Sequence, residues 1–198
     1  MQNQSLKPLM TTDAILWRRL NAPGHDACRL EQTAGGWRMN GAAIFRHDDE
    51  PACLTYHVVC DAGWRTQAGA VHGWVGSRTI DFGAVRTPDG VWTLNGQIVP
   101  NLDGCVDLDL AFTPATNLFQ LRRVALEVGQ FADVPVAWLD VSAGTLDVLH
   151  QRYERRGEAL YWYAAPRFDY VALLEVNDVG FVQKYPRLWE AESGGRAA

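Results

Sequence analysis

The hydrophobic and polar positions of this chain fall into short alternating runs separated by turn residues, and no stretch keeps a helical period over three turns. The alternation predicts strands over 55–61, 91–99, 105–113, 121–129, 134–141, 146–155, 159–164 and 170–176, with breaker residues between most of them. The nine prolines, from Pro8 to Pro186, mostly fall between these runs, as expected when proline is kept out of central strands. The fold class is therefore all-β, a predominantly antiparallel many-stranded meander with very little helix. Two segments, Gly36-Trp37-Arg38-Met39-Asn40-Gly41 and Val91-Trp92-Thr93-Leu94-Asn95-Gly96, share W-x-[LM]-N-G. Asn-Gly suits the positive φ angles of a type I′ turn, so each predicts a hairpin, and Asn177 to Gly180 predicts a third turn. The shared pattern fits either an internal duplication or two tryptophan-bearing hairpins.

No linker or change of composition divides the chain, so residues 1–198 are expected to form one domain with an ordered core over about 13–190. The polar or glycine-rich tails, about 1–12 and 191–198, are expected to be flexible. With 18 basic and 23 acidic residues, the net charge of -5 argues against adhesion to nucleic acid or to anionic membranes. Residues 1–20 lack the basic start and apolar run of a signal peptide, and no segment has the roughly 20 apolar residues needed to span a bilayer; a cytoplasmic protein is expected. The cysteines Cys28, Cys53, Cys60 and Cys105 form no C-x-x-C pair and suit small buried hydrophobes, with no need for zinc or disulfides.

Eight Trp, six Tyr and seven Phe are more aromatic surface than simple packing often uses. Alternation puts Tyr161 and Tyr163 on one strand face and Trp162 on the other, so part of this surface either lies away from a single core or lines a cavity. A rolled or closed sheet is wide enough to hold one.

The densest chemistry lies in 103–123. As a strand, it would carry Asp103, Cys105, Asp107 and Asp109 on one face and Val106, Leu108, Leu110 and Phe112 on the other. Carboxylates so placed need cations, donors or a polar ligand opposite, and Arg122 or Arg123 on a neighbouring strand could serve. Arg122 would share an apolar face with Val124, Leu126 and Val128, so it demands an anion: either a structural ion pair with Asp107 or Asp109, or a ligand head group. Thr116 and Asn117 suit a turn in which side chains bond their own backbone. Gln151 and Tyr153 share a strand face and could offer hydrogen bonds to a hydroxylated ligand.

Catalytic signatures are sparse. None of the four serines lies in a G-x-S-x-G elbow, the five histidines show no H-x-H or H-E-x-x-H spacing, and no glycine-rich phosphate loop precedes a helix. His47-Asp48-Asp49 before Pro51 suits a solvated turn better than a metal cluster. Asp107 and Asp109, roughly 6.5–7 Å apart along a strand, would suit a glycoside hydrolase only loosely.

The run G-C-x-D-x-D-x-x-x-T-P-x-T-N-x-x-x-x-R-R over 104–123 resembles the signature of a bacterial glycolipid-binding family whose biochemical activity is unassigned. Further similarity lies at Asp61 with Trp64, at Gln151 with Tyr153, and at Tyr185-Pro186 with Leu188-Trp189. The resemblance spans nearly the whole chain. It implies a spiral β-roll reminiscent of lipid-cavity proteins, and an amphiphilic ligand for which the family name suggests a glycolipid. Two departures stand out: Phe119-Gln120-Leu121 where a Leu-Pro-Ile usually precedes the Arg pair, and Val176-Asn177 where the pattern has Val-Asp.

The resulting expectation is a binding protein without cofactor, metal or nucleic-acid partner. Its ligand would meet Asp107, Asp109, Arg122, Arg123, Asn117, Gln151, Tyr153, Tyr163 and Trp64. A glycoside hydrolase using paired carboxylates, and an interaction scaffold, for instance a homodimer, whose Asp and Arg cluster is purely structural, remain alternatives.

Overall fold

The computed structural model describes residues 12–192. The tail segments 1–11 and 193–198, where flexibility was expected, lie outside the described residues, as does the start of the segment searched for a signal peptide. Thr12 already begins the first strand and Ala191 ends the last.

One antiparallel meander holds β1 (Thr12–Arg19), β2 (Gly24–Thr33), β3 (Gly36–His47), β4 (Glu50–Asp61), β5 (Thr66–Val75), β6 (Arg78–Arg86), β7 (Trp92–Leu94) and β8 (Gln97–Val99). Then come β9 (Asp107–Leu110) and one short helix, α1 (Asn117–Val124). A second meander follows: β10 (Phe131–Asp140), β11 (Thr145–Arg155), β12 (Leu160–Ala165), β13 (Tyr170–Val176), β14 (Val182–Tyr185) and β15 (Trp189–Ala191). Antiparallel pairing of β1 with β15 joins the two meanders into one 15-stranded sheet running from β8 to β9. The sheet is all-β and rolled but not closed.

The exception to antiparallel pairing is β9, which runs parallel to β10 with Asp107 opposite Val136 and Leu110 opposite Leu139. An edge strand exposes unpaired backbone groups, and the roll protects this one by tucking it against β5. The Thr66 amide donates to the Val106 carbonyl at 3.3 Å, and the Leu108 amide donates to Thr66 Oγ1 at 3.1 Å. Gly69 makes the approach possible, because a Cβ there would lie 2.4 Å from Leu108 Cδ2. All four residues of β9 are consequently buried, so this strand is not half-solvated: it has two buried faces, one apolar and one acidic.

Three sequence expectations are corrected. The stretch 121–129 is not a strand: its first residues complete α1, whose Leu118, Phe119 and Leu121 are fully buried and which ends at Ala125 in the left-handed conformation. Eight residues are too few for a helical period to show over three turns, and the basic pair in the last turn suits the negative end of the helix dipole. Asn40-Gly41 is no turn either; both lie mid-strand in β3, opposite His57 and Tyr56. Gly41 answers to packing, since a Cβ would fall 2.2 Å from the Tyr56 ring carbon Cζ. The other Asn-Gly pair does turn, with Asn95 and Gly96 at φ 49° and 78° between β7 and β8. Asn177 to Gly180 also turns, Gly180 N donating to the Asn177 carbonyl. Finally, Thr116 and Asn117 do not bond their own backbone: Thr116 Oγ1 accepts from the Leu110 amide and Asn117 reaches Tyr153.

The inner faces pack into two apolar clusters. One gathers β1–β6 side chains such as Trp17, Met39, Leu54 and Val71 around Leu108, Leu110, Leu118 and Phe119; the other gathers Leu121 of α1 with Val136, Leu149, Tyr153, Tyr161, Tyr163 and Leu174 from the second meander. Cys28, Cys60 and Cys105 are buried among them and Cys53 is half-buried.

Candidate functional site

Where the end of β9 meets the second meander, the roll leaves a cavity of about 520 Å³. Aromatic rings form one side of its wall, Phe45, Phe112, Trp138, Tyr163, Tyr170, Tyr185 and Trp189 among them. Asp109, Thr113, Asn117 and Gln151 supply polar groups to the lining, and Arg19, His47 and Ser142 supply others. The aromatic wall is built edge to face: Tyr163 packs on Tyr185 with ring centres 5.6 Å apart, and Tyr170 on Tyr185 at 5.4 Å. This is the geometry that aromatic quadrupoles favour.

Asp109 is 8% exposed and stands on the acidic face of β9. Gln151 Nε2 donates to its Oδ2 at 2.6 Å, and Gln120 Nε2 lies 3.5 Å from the same oxygen. Behind these amides, Tyr153 donates its hydroxyl to Gln120 Oε1 at 2.6 Å and itself accepts from Asn117 Nδ2 at 2.6 Å. Both amides thus converge on one oxygen, and among the described residues Oδ1 accepts no hydrogen bond. Burial pushes the Asp109 carboxyl up to about 6; the two amides oppose the shift and nearby Asp107 adds to it.

Asp107, two residues earlier on the same face, is fully buried and committed to Arg123, whose Nη2 meets Oδ2 at 2.6 Å while Nε lies 3.1 Å from both oxygens. Burial raises the Asp107 pKa and Arg123 works against that. The expected division of labour between the two arginines is therefore reversed. Arg122, projecting from the helix and not from an apolar strand face, donates Nε to the Val179 carbonyl at 2.7 Å and lies over the Trp64 ring. Trp64 stacks on Trp37 with ring centres 4.6 Å apart and does not line the cavity.

Of the nine residues singled out from sequence, the cavity gathers Asp109, Asn117, Gln151 and Tyr163. Tyr153 lies wholly buried behind the wall as the hub of the amide network, whereas Asp107, Arg122, Arg123 and Trp64 stand elsewhere. Gln120 was not singled out as a site residue, although it is one of the points at which the chain departs from the family pattern. It supplies the second amide facing Asp109.

Arg19 was also missed. On β1 it follows the buried Trp17 by two positions, and its guanidinium lies 5.1 Å from the Phe45 ring centre and 5.8 Å from that of Trp189. Burial lowers its pKa. Ser142 Oγ and His47 Nε2 are 2.5 Å apart, but Asp48 Oδ2 approaches that same nitrogen at 3.6 Å. A catalytic triad would place its carboxylate on Nδ1. No group of three or more His, Cys, Asp or Glu side chains among the described residues is placed to hold a metal ion.

A third buried acid, not singled out above, was legible in the sequence. Asp26 shares a face of β2 with Cys28 and Leu30, the same anomaly that drew attention to Arg122. It is fully buried, accepts from the Tyr56 hydroxyl at 3.0 Å to each oxygen, and accepts a further bond from Thr113 Oγ1. Burial raises its carboxyl to about 7 against the effect of these donors.

The family model described as "Putative glycolipid-binding" matches residues 14–191. No curated protein matches the chain. Among solved structures, the crystal structure of a DUF1089 family protein from Pseudomonas aeruginosa is similar over 93% of this chain and 94% of its own, with 22% identity and a TM-score of 0.68, a likeness that shows the fold. Among the described residues no helix is long and apolar enough to cross a membrane.

Proposed function

The chain belongs to this glycolipid-binding family, and on that premise we propose that it binds an amphiphile with a hydroxylated head group at the aromatic cavity. One observation carries the reading: Asp109 sits in an aromatic wall with one carboxylate oxygen held by amides and the other without a donor among the described residues. This oxygen meets water at the cavity, and a hydroxyl brought by a ligand can take the place of that water as its donor. Apolar parts of the ligand gain from contact with the rings, at about 25 cal/mol per Å² of surface withdrawn from water. Gln151, Gln120 and Asn117, through Tyr153, hold the acid in place; Tyr163 belongs to the wall.

A hydrolase using Asp107 and Asp109 as its paired carboxyls finds no support, because Asp107 is spent on Arg123 and does not line the cavity. The test is native mass spectrometry of the freshly purified protein, followed by incubation with octyl glucoside and with total lipid extract. A bound amphiphile, released into organic solvent or added back as a mass shift, is the expected result. A mass that stays that of the bare chain under all three conditions would overturn the reading.

A further inference from the structure

We infer that the cavity takes the head group of the amphiphile and leaves its tail outside, along the lip formed by Phe168 and Trp138. The inference rests on the amphiphile reading above and settles which end of the ligand enters. The cavity, of about 520 Å³, is of a size for a small-molecule group, and either a sugar ring or an alkyl chain would fit it.

Wall chemistry then decides between them. An alkyl chain filling the space would strip water from Asp109 Oδ1 and give it nothing in return, leaving a desolvated carboxylate oxygen beneath hydrocarbon. A ring bearing hydroxyls donates to that oxygen and lays its C–H face on the tyrosine wall. Thr113, Asn117 and Gln151 also line the cavity, each engaged within the protein, so that Asp109 is the group left to meet a ligand donor.

The lip says where the tail goes. Phe168 lines the cavity and is nevertheless 50% exposed, and its ring stands 5.3 Å from that of Trp138. The first few methylenes leaving the cavity would cross this exposed ring, and any beyond it would meet solvent or the bilayer from which the molecule came.

The experiment is isothermal titration of the whole protein with methyl, hexyl, octyl and decyl β-glucosides below their micelle concentrations, and with hexanol and octanol. Affinity is expected to rise about tenfold from methyl to hexyl glucoside and then stay level within about twofold, with no measurable binding of the alcohols. Phe168→Ala should remove most of the methyl-to-hexyl gain. Affinity that climbs about fourfold for every methylene, the factor matching about 0.8 kcal/mol per buried CH₂, together with equal binding of octanol, would overturn the orientation and keep the amphiphile reading. Equal affinity for methyl and hexyl glucoside would keep the ring in the cavity and overturn the amphiphile reading. Silence from every glucoside and alcohol would overturn both.

Discussion

Asp26 and Asp109 are both buried carboxyls whose pKa burial drives upward, yet their surroundings differ in one decisive respect. At Asp26 the protein closes the site: Tyr56 and Thr113 bring hydroxyls to both oxygens, and Gly41 is bare so that the Tyr56 ring can lie where it does. At Asp109 the donors converge on one oxygen, and the residue lines a cavity. Desolvation alone therefore does not mark a functional acid. What separates the two is whether hydrogen-bonding capacity is exhausted internally, and only Asp109 keeps capacity for an outside partner. Asp107 extends the contrast, being as buried as Asp26 but closed by a guanidinium instead of hydroxyls. Thr113 joins the two regions, since it lines the cavity and donates to Asp26.

The largest effect is expected at the closed ion pair. Arg123→Ala strands the Asp107 charge in the interior and should cost about 3–5 kcal/mol in equilibrium denaturation, the range for breaking a buried pair from one side. A loss no greater than that of the exposed Arg152→Ala would mean that Asp107 is not closed in the manner described.

Asp26 should reveal itself through pH. Its folded pKa of about 7 lies above the unfolded value of about 3.9, so between these limits the folded state holds a proton that the unfolded state releases. Stability from this group is thus greatest below pH 4, declines as pH rises towards 7, and levels off above, a span of at most about 4 kcal/mol. Asp26→Asn should remove that component, so the stability difference between variant and parent should change steadily across pH 4–7. A difference independent of pH would show that Asp26 does not titrate in this window.

Thr113→Val removes one of the donors to Asp26 and should cost about 1–3 kcal/mol at pH 8, where the carboxylate is charged. The cost should shrink at pH 5, where Asp26 is protonated in the folded state and needs fewer donors. An equal loss at both values would point to packing alone.

Asp109→Asn completes the contrast with the smallest effect on folding. The amide keeps an acceptor for Gln151 and sheds a desolvated charge, so stability at pH 7 should change by less than about 1 kcal/mol. Binding of octyl glucoside should nevertheless fall at least tenfold. A variant that unfolds while the parent shows no binding would place Asp109 with Asp26 and Asp107 as a structural acid.

The sequence by itself determined a good deal. Alternation with period two is a local property, so the all-β class and most of the later strands could be read directly, as could the Asn95-Gly96 and Asn177-Gly180 turns. The first meander was less legible. Positions such as Gly41, Gly69 and Gly73 carry little hydrophobic contrast, because their side chains were given up to the close approach of Tyr56, Leu108 and the Cys53 backbone. The acidic run on β9 and the polar residues of 116–117 and 151–153 were visible as anomalies, and Asp109, Asn117, Gln151 and Tyr163 do share one cavity.

Which anomaly served which end depended on contacts between distant segments. The parallel placement of β9 against β10 brings Asp109 to Gln151 across 42 residues, and the fold likewise brings Tyr56 to Asp26 across 30 and Thr113 to Asp26 across 87. A two-turn helix in place of a strand turned Arg123 towards Asp107 and Arg122 away from it. The physical reason is that a side chain's need for a partner is written in its own chemistry, whereas the partner's identity depends on which distant segment the roll delivers. The same folding step that leaves Asp107 and Asp26 fully partnered leaves one oxygen of Asp109 open to the cavity.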